Sequence, residues 1–466
     1  MAKLEPVQRL TATAVLAAAL CLGLACAACE SCTPKSQKVQ TAQGEATPAT
    51  APDARLYFIS DLAGQIEPCG CVKDQPGGLD HLAAAVRKDW EGAGGHAVMA
   101  VGTTRGKAPF DMLSAAEKPQ RLREAETIGG ALRALGTSVE LPGQADHSAL
   151  RGGHPAHGPE DKTLPSGDFA PHAQLVAVGQ VKIAVLVTDA RPLDSKQRAA
   201  ELEVERQRFA KDGAKHTVLL TTLGRGEAKR IAEFMPELDA VVVGRDLMPN
   251  DDNTDGFAPE QVGKTWILEP ANHGQQVAVL DLWVQSAGVQ ARTLDVRESA
   301  GSDAAVLDLM RRMDQSSNEA NAKQFASLLP AKASPSQAAY VGVKVCGACH
   351  ADALKVWEGT EHSHAYATLE TRHKNFNLDC VGCHVTGYDK PGGSNVTHVE
   401  GLKNVQCENC HGPGSKHAAA PTTVAVPNAH PGEDVCVGCH HTPHVKSFDF
   451  GAMLPRVLGP GHGVGE

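Results

Sequence analysis

The chain has 466 residues, enough for two or three domains of ordinary size. Hydrophobic residues make up 42% and charged residues 21%, which is typical of globular proteins and excludes both wholesale disorder and a polytopic membrane protein. The formal net charge of −10 argues against nucleic acid as the main partner. The composition is unusual in one respect, because 14 Cys and 21 His accompany only 10 Phe, 4 Tyr and 4 Trp.

The N-terminus predicts export. Residues 1–29 have a basic start, an apolar run over residues 10–28 and small residues at its end, which is the layout of a secretory signal peptide. Cys26 and Cys29 each follow small residues, so a lipoprotein-type lipid anchor and plain cleavage are both open. A permanent transmembrane helix is disfavoured, since the run has about 19 residues and is rich in Ala, whereas about 20 apolar residues are needed to span a bilayer. Residues 30–53 are polar and predict a flexible tether, so the mature protein is expected in the periplasm or cell envelope, free or membrane-tethered.

Residues 54–298 alternate short apolar runs with segments of helical periodicity. The expected strands are 55–60, 96–101, 174–178, 182–187, 216–221 and 240–243; the expected helices are 79–88, 120–135, 196–211 and 226–235; and 275–284 with 289–296 predict a closing hairpin. A Gly, Pro and His-rich loop is expected over 148–172. This alternation indicates an α/β layered domain.

The stretch RLYFISDLAGQIEPCGC, followed by GGLDHLAAAV, resembles the start of the calcineurin-like metallophosphoesterases of the 5′-nucleotidase type. The resemblance extends over about residues 54–298 and implies an α/β/β/α layered sandwich. In that family a cluster of Asp and His residues binds two metal ions, which activate water for attack on a phosphate ester.

Most of those metal ligands are replaced in this chain. Asp61 stands where the family has its first Asp, but Ala63 replaces the following His. The later ligand motifs correspond to Val101-Gly102-Thr103-Thr104, Gly143-Gln144-Ala145-Asp146, Thr222-Leu223-Gly224 and Gly244-Arg245-Asp246. One remaining Asp cannot hold two metal ions, so the domain is predicted to be a catalytically inactive relative, with Asp61 a loop or capping residue.

Three histidines and two cysteines in this domain have no assigned chemistry. His81, His147 and His273 are expected to be ordinary surface or loop residues. Cys69 and Cys71 are separated by one residue, which leaves a strained disulfide, free thiols and metal binding as open alternatives.

The C-terminal quarter carries the strongest pattern. Residues 299–339 predict a helix and a linker, and residues 340–466 then contain Cys-x-x-Cys-His four times. These are the first motif (Cys346, Cys349, His350), the second (Cys380, Cys383, His384), the third (Cys407, Cys410, His411) and the fourth (Cys436, Cys439, His440). Two thiols at this spacing add to the two vinyl groups of a haem, and the adjacent His binds its iron.

Zinc is the alternative ligand, because two Cys-x-x-Cys pairs can build a four-thiolate site. A His directly after the second Cys in all four copies favours haem, so we expect four covalently attached c-type haems. Met453 is the only Met in this region, so most of these haems are expected to have a second His ligand, which favours low reduction potentials.

Residues 338–456 also resemble the tetrahaem cytochrome c-554 family, through YVGVKVCGACH, DCVGCHVTGY, VQCENCHGPGSKH and CVGCHHTPHVKSFDF. The resemblance implies a mostly α, loop-rich multihaem cytochrome c domain. The distal iron ligands that it implies are His362, His417 and His444, with His398 a further candidate, His364 and His430 behind it, and His373 and His462 not expected to bind iron. One haem of the family is five-coordinate, and whether that feature persists here is left open.

The motifs favour an exported electron-transfer protein whose phosphoesterase-like domain acts as a scaffold or docking module. Its expected partners are donor and acceptor redox proteins, with no nucleic acid and with membrane contact only through a lipid anchor. Two alternatives belong to other classes: an oxidoreductase acting on a small nitrogen or sulfur compound at an open haem, and a nucleotidase or phosphoesterase.

Overall fold

The computed structural model describes residues 50–68, 74–143, 145–146, 173–188, 192–245, 255–286, 288–441, 444–445 and 447–462. The described residues belong to a compact unit that extends from Ala42 to Glu466. The predicted signal peptide, nearly all of the tether, Cys69, Cys71 and the predicted loop over 148–172 lie outside the described residues. None of the helices in the described ranges has the length and apolar character needed to cross a membrane.

Two β-sheets form the centre of the N-terminal domain. The first contains β1 (Ala54–Ser60), β2 (His96–Gly102), β3 (Thr137–Pro142), β10 (Gln276–Trp283) and β11 (Gly288–Asp295), in the order β11-β10-β1-β2-β3. The second contains β4 (Gln174–Val178), β5 (Val181–Val187), β6 (His216–Thr221), β7 (Ala240–Val243), β8 (Phe257–Val262) and β9 (Thr265–Glu269), in the order β4-β5-β6-β7-β9-β8. The pairs β1–β2, β2–β3, β5–β6, β6–β7 and β7–β9 are parallel, and the pairs β1–β10, β10–β11, β4–β5 and β8–β9 are antiparallel.

Alternate side chains of each strand face different layers, as the two-residue period of a strand requires. Leu56 and Phe58 of β1 pack against the second sheet, whereas Tyr57 and Ile59 pack against helices. The helices on that outer face are α1 (Leu79–Asp89), α2 (Lys118–Ala134) and α5 (Ala304–Phe325), and those over the second sheet are α3 (Ser195–Lys211) and α4 (Arg225–Phe234). The predicted α/β/β/α sandwich is therefore confirmed.

The predicted strands and helices agree with the structure to within a few residues, but three strands were missed. β3 ends in Pro142 and β8 contains Pro259, and proline within a short run argues against a strand. β9 has only five residues. The helix expected within residues 299–339 is α5, which begins at Ala304 because the Asp303 carboxylate caps it by accepting hydrogen bonds from the Ala305 and Val306 amides at 3.1 and 3.0 Å.

The C-terminal region is built of short helices joined by long loops, as predicted. The helices are α6 (Val343–Gly347), α7 (Ala351–Glu358), α8 (Ala365–Thr371), α9 (Cys407–His411), α10 (Ser415–Ala419), α11 (Glu433–Val437) and α12 (Phe450–Met453). Its apolar core is small and consists of Phe325, Tyr366, Leu369, Val381, Val385, Val396 and Val399. A region of this length ordinarily buries more apolar surface than this cluster provides.

Candidate haem-binding site

The four motifs share one local geometry. In each, the first Cys begins or lies in a helical turn, which places the second Cys three residues on and the His four residues on along the same face. The third motif coincides with α9, and the second lies in a 3-10 turn over Val381–His384. In the first and fourth motifs the turn is closed by the His amide, which donates to the carbonyl of the first Cys at 3.0 and 2.9 Å. Each motif therefore presents two sulfurs and one imidazole together, and all eight cysteines are free of disulfides.

Hydrogen bonds orient several of the imidazoles. The Nδ1 atoms of His384, His411 and His417 lie 2.6, 2.8 and 2.6 Å from the carbonyl oxygens of Ala365, Asn428 and Val424, respectively. A carbonyl only accepts, so Nδ1 carries the proton and donates it, and Nε2 keeps a free lone pair. This is the arrangement that second-shell partners impose on histidines that bind metals through Nε2.

Two pairs of histidine rings are separated by the distance that iron ligation requires. The ring centres of His350 and His417 are 6.2 Å apart with 27° between their planes, and those of His362 and His440 are 6.2 Å apart with 40° between them. A metal–imidazole bond is about 2 Å long and the ring centre lies about 1 Å beyond the nitrogen, so two imidazoles on opposite sides of one iron have centres about 6 Å apart. The residues of the first and fourth motifs, with two of the predicted distal histidines, therefore fit haem.

The other predicted distal ligands are placed differently. The His444 ring packs edge-on against His441 at 6.0 Å and lies within Coulombic range of His384 in the second motif. The Nδ1 atom of His398 lies 3.1 Å from the Thr397 hydroxyl and 3.3 Å from the side-chain oxygen of the nearby Asn395. The structure thus associates His444 with the second motif, whereas His398 contacts its own loop.

His462 is a candidate that the sequence argument set aside. It lies within Coulombic range of His411 in the third motif and of His350 in the first. His462 lies in a Gly and Pro-rich tail, beyond the stretch that resembles cytochrome c-554. Nothing in that part of the sequence indicated an iron ligand. Burial lowers the pKa of His462, as it does for His362, His440 and His444, and so favours the neutral imidazole that metals bind.

The motifs form a continuous row. The sulfur of Cys346 lies near that of Cys407, and the sulfur of Cys383 lies near that of Cys439. Cys410 lies within Coulombic range of Cys436, and α9 packs against both α6 and α11. The attachment positions therefore follow one another in the order first, third, fourth and second.

The position that corresponds to a phosphoesterase metal centre is filled by a different set of contacts. Asp61 is 1% exposed and its carboxylate accepts a hydrogen bond from the Arg245 amide at 2.8 Å. The Arg245 guanidinium is in turn paired with Glu269, with its Nε 2.9 Å from the carboxylate. Asp61 thus links the loop after β1 to the loop after β7. In the described ranges, no group of three or more His, Cys, Asp or Glu side chains is arranged to hold a metal ion.

His273 is a loop residue, as expected, and its side chain is buried. His273 lies in the loop before β10, but it is not at the surface, because only 7% of it is exposed and its backbone amide donates to the Asp61 carbonyl at 2.8 Å. Burial, with a smaller contribution from Lys107, lowers its pKa to about 4, so it is neutral at physiological pH. His273 therefore packs as a buried neutral side chain close to Asp61.

Comparisons with known proteins support the C-terminal assignment. Residues 345–412 match the family "Cytochrome c554 and c-prime". A curated relative, cytochrome c-554 of Nitrosomonas europaea, is 33% identical over 93 aligned residues, which cover 16% of this chain and 40% of that protein. The predicted resemblance of this region to the cytochrome c-554 family is confirmed, and the match implies covalently bound haem c.

Solved structures similar to the chain include Thermus thermophilus sulfate thiohydrolase SoxB in complex with glycerol, at 17% identity and a TM-score of 0.41, covering 58% of this chain and 61% of that one. They also include a 5′-nucleotidase precursor from Thermus thermophilus, at 14% identity and a TM-score of 0.41, covering 60% and 61% of the two chains. TM-scores this low assign neither fold nor function, and the sandwich architecture rests on the sheet order and core described above.

Removing a distal histidine should change the ligation of one haem. In His417→Ala or His362→Ala we expect one of the haems to lose its second imidazole and become high-spin, because the ring that faces His350 or His440 is gone. Electron paramagnetic resonance of the oxidised holoprotein measures this change. His373→Ala, at an exposed position, is the matched control and should keep the wild-type spectrum. A wild-type low-spin spectrum in both distal variants would contradict the assignment.

Asp61 should make stability depend on pH. Burial raises its pKa well above the usual value, so the folded protein keeps a proton that the unfolded chain loses above about pH 4. The free energy of unfolding therefore falls as the pH rises above about 4. Asp61→Asn removes the carboxyl group and should reduce this loss of stability. We expect the stability advantage of Asp61→Asn to grow between about pH 4 and about pH 7 in chemical denaturation. The exposed Asp308→Asn should show no such trend, and an equal trend in both variants would refute this role of Asp61.

Proposed function

We propose that this protein is an exported tetrahaem c-type cytochrome that transfers electrons between redox proteins in the periplasm or cell envelope, and that its α/β sandwich is a scaffold for the haem-binding region. The observation that carries the proposal is the row of four motifs with two facing histidine pairs at 6.2 Å. The matched segment spans 40% of the curated relative, so the activity of the whole chain is inferred from this site.

The chain's own residues would hold the four haems in defined ways. The eight motif cysteines would attach the haems covalently, and His350, His384, His411 and His440 would bind their irons. His417 and His362 face the first and fourth of these histidines, and His444 and His462 lie near the second and third. When bound, haem supplies reversible one-electron chemistry. The protein contributes fixed imidazole orientation and a row of adjacent attachment sites.

The scaffold role is supported by a junction between α2 and the second motif. The Arg121 guanidinium forms two hydrogen bonds with the Asp379 carboxylate, at 2.6 and 2.5 Å, and Lys107 pairs with the same carboxylate at 2.6 Å. Burial disfavours ionisation of Asp379, but the two cations outweigh it and hold its pKa below the usual range. Asp379 immediately precedes Cys380, so the sandwich holds the chain directly at a haem-attachment residue.

Neutral hydrogen bonds extend the same junction. Gln120 is fully buried in α2; its side chain donates to the side chain of Asn377 at 3.1 Å and accepts from the Leu378 amide at 3.1 Å. Asn321 of α5 donates to Gln120 at 2.8 Å and to the Phe376 carbonyl at 2.9 Å. The backbone from 376 to 379 is therefore fixed by side chains of the sandwich.

A buried lysine makes a third set of contacts between the haem-binding region and the sandwich. Lys374 is 6% exposed, and its ammonium lies 2.5 Å from a carboxylate oxygen of Glu67 and 3.3 Å from one of Asp314. Glu67 follows β1 and Asp314 lies in α5, so one side chain from the haem-binding region reaches two elements of the sandwich. Removing one partner of such a buried group leaves an uncompensated charge, which makes these contacts costly to break.

A redox titration of the intact holoprotein tests the proposed function. We expect four covalent haems per chain by pyridine haemochrome analysis, with low-spin optical bands and full reduction by dithionite, because four motifs are present and two have facing histidines. A purified chain without covalent haem would refute the proposal.

The same preparation separates the two alternatives. A high-spin haem signal that shifts on addition of hydroxylamine, nitrite or nitric oxide would favour the oxidoreductase. Release of phosphate from a nucleotide, abolished by Asp61→Ala, would favour the phosphoesterase. We expect neither as the main activity.

The scaffold role predicts coupled unfolding of the two parts of the chain. Arg121→Leu leaves Asp379 with Lys107 alone and should cost about 1–3 kcal/mol of stability, because a charged acceptor loses two donors. In thermal unfolding of this variant, we expect the haem Soret transition to occur at a lower temperature than the far-ultraviolet circular dichroism transition. In the wild type we expect the two transitions at the same temperature. The exposed pair Arg312–Asp308 supplies the control Arg312→Leu, with an expected cost below about 0.5 kcal/mol and coincident transitions. Coincident transitions at an unchanged temperature in Arg121→Leu would contradict a scaffold.

A further inference from the structure

Glu408, inside the third motif, is a buried carboxylate that contacts no cation in the described part of the chain. It is 3% exposed. Its oxygens accept hydrogen bonds from the backbone amides of Val341 at 3.0 Å, Gly342 at 2.8 Å and Gly414 at 2.7 Å. These partners are neutral N–H donors, which satisfy the lone pairs of a carboxylate but leave its negative charge in place.

The contacts of Glu408 join the third motif to the first. Val341 and Gly342 immediately precede α6, the helix that contains Cys346. The neighbouring Gln406 strengthens the same contact, because its side-chain oxygen accepts from the Val343 amide at 2.6 Å. Gly342 has φ +81°, and a Cβ there would lie 2.6 Å from the Gly401 carbonyl oxygen, so the close approach requires glycine.

The charge of Glu408 also reaches both attachment sites. Glu408 directly follows Cys407, and its carboxylate accepts from the amide of Gly342, whose carbonyl accepts from the Cys346 thiol at 3.7 Å. Oxidised haem iron carries one more positive charge than reduced iron, so a nearby buried anion stabilises the oxidised form. The second motif differs, because the carboxylate beside it, Asp379, is paired with Lys107 and Arg121.

We propose that Glu408 is a positioning residue that holds the first and third motifs together and lowers the reduction potentials of the two haems attached there. The proposal rests on the tetrahaem function proposed above. It adds that the reduction potentials differ along the row of haems. They are lower at the end formed by the first and third motifs, so electrons are less stable there.

The test is a potentiometric titration of the holoprotein and of Glu408→Gln. We expect the variant to raise two of the four potentials, each by the equivalent of about a tenfold increase in the ratio of ferrous to ferric haem, about 59 mV for one electron. Glu370→Gln is the matched control, since Glu370 is an exposed carboxylate of the same region paired with Lys403, and its potentials should equal the wild-type values.

Two further variants separate charge from folding. Glu408→Asp keeps the charge but shortens the side chain, so we expect a lower melting temperature with potentials that stay low. Tyr340→Lys leaves Glu408 in place and adds an ammonium on the residue next to Val341, whose amide donates to that carboxylate at 3.0 Å. It should raise the same two potentials even if Glu408→Gln fails to load haem.

The outcomes are distinct. A four-haem Glu408→Gln protein with wild-type potentials, or with all four potentials shifted equally, would overturn the proposal while leaving the tetrahaem function intact. Wild-type potentials in Tyr340→Lys, when Glu408→Gln fails to load haem, would overturn it as well. A wild-type chain that carries no covalent haem would instead refute the underlying function.

Discussion

The facing histidines of the C-terminal region have the geometry that ligation of one iron by two imidazoles would require. Each nitrogen must approach the metal to about 2 Å from opposite sides, so two histidines from separate parts of the chain must face each other across about 6 Å. His350 and His417, and likewise His362 and His440, stand 6.2 Å apart between ring centres. Those spacings hold in a region with a small apolar core, where hydrogen bonds to backbone carbonyls and amides, rather than side-chain packing, fix much of the loop structure.

The sandwich differs from this region because it has the large packed apolar core that the loops lack. Its two sheets bury a continuous core between them, and its helix α2 presents Gln120 and Arg121 to the residues before Cys380. An ion pair of this kind gains little from charge alone, since burial opposes ionisation. Its value here is geometric, as Arg121 and Lys107 both converge on Asp379 and so define the position of the second motif.

Much of this could be predicted from the sequence, and the remainder has identifiable physical causes. Four copies of Cys-x-x-Cys-His mark the candidate attachment residues, because covalent haem attachment involves residues within one helical turn, and periodicity located most of the sandwich. The pairing of His417 with the first motif and His362 with the fourth depends on how distant segments pack, which local patterns do not encode. β3 and β8 were missed because each contains a proline, and the position of His462 beside the first and third motifs arises only from the folded tail.

The loop after β2 connects the sandwich to the second motif. In this loop the amides of Thr104, Arg105 and Gly106 donate hydrogen bonds to the Asp146 carboxylate at 2.7, 2.7 and 2.8 Å. These bonds fix the loop immediately before Lys107, whose ammonium pairs with Asp379. Asp379 immediately precedes Cys380, so this loop reaches the residue next to a cysteine of the second motif. A rigid loop at this edge of the sheets is what the proposed scaffold role requires of the sandwich.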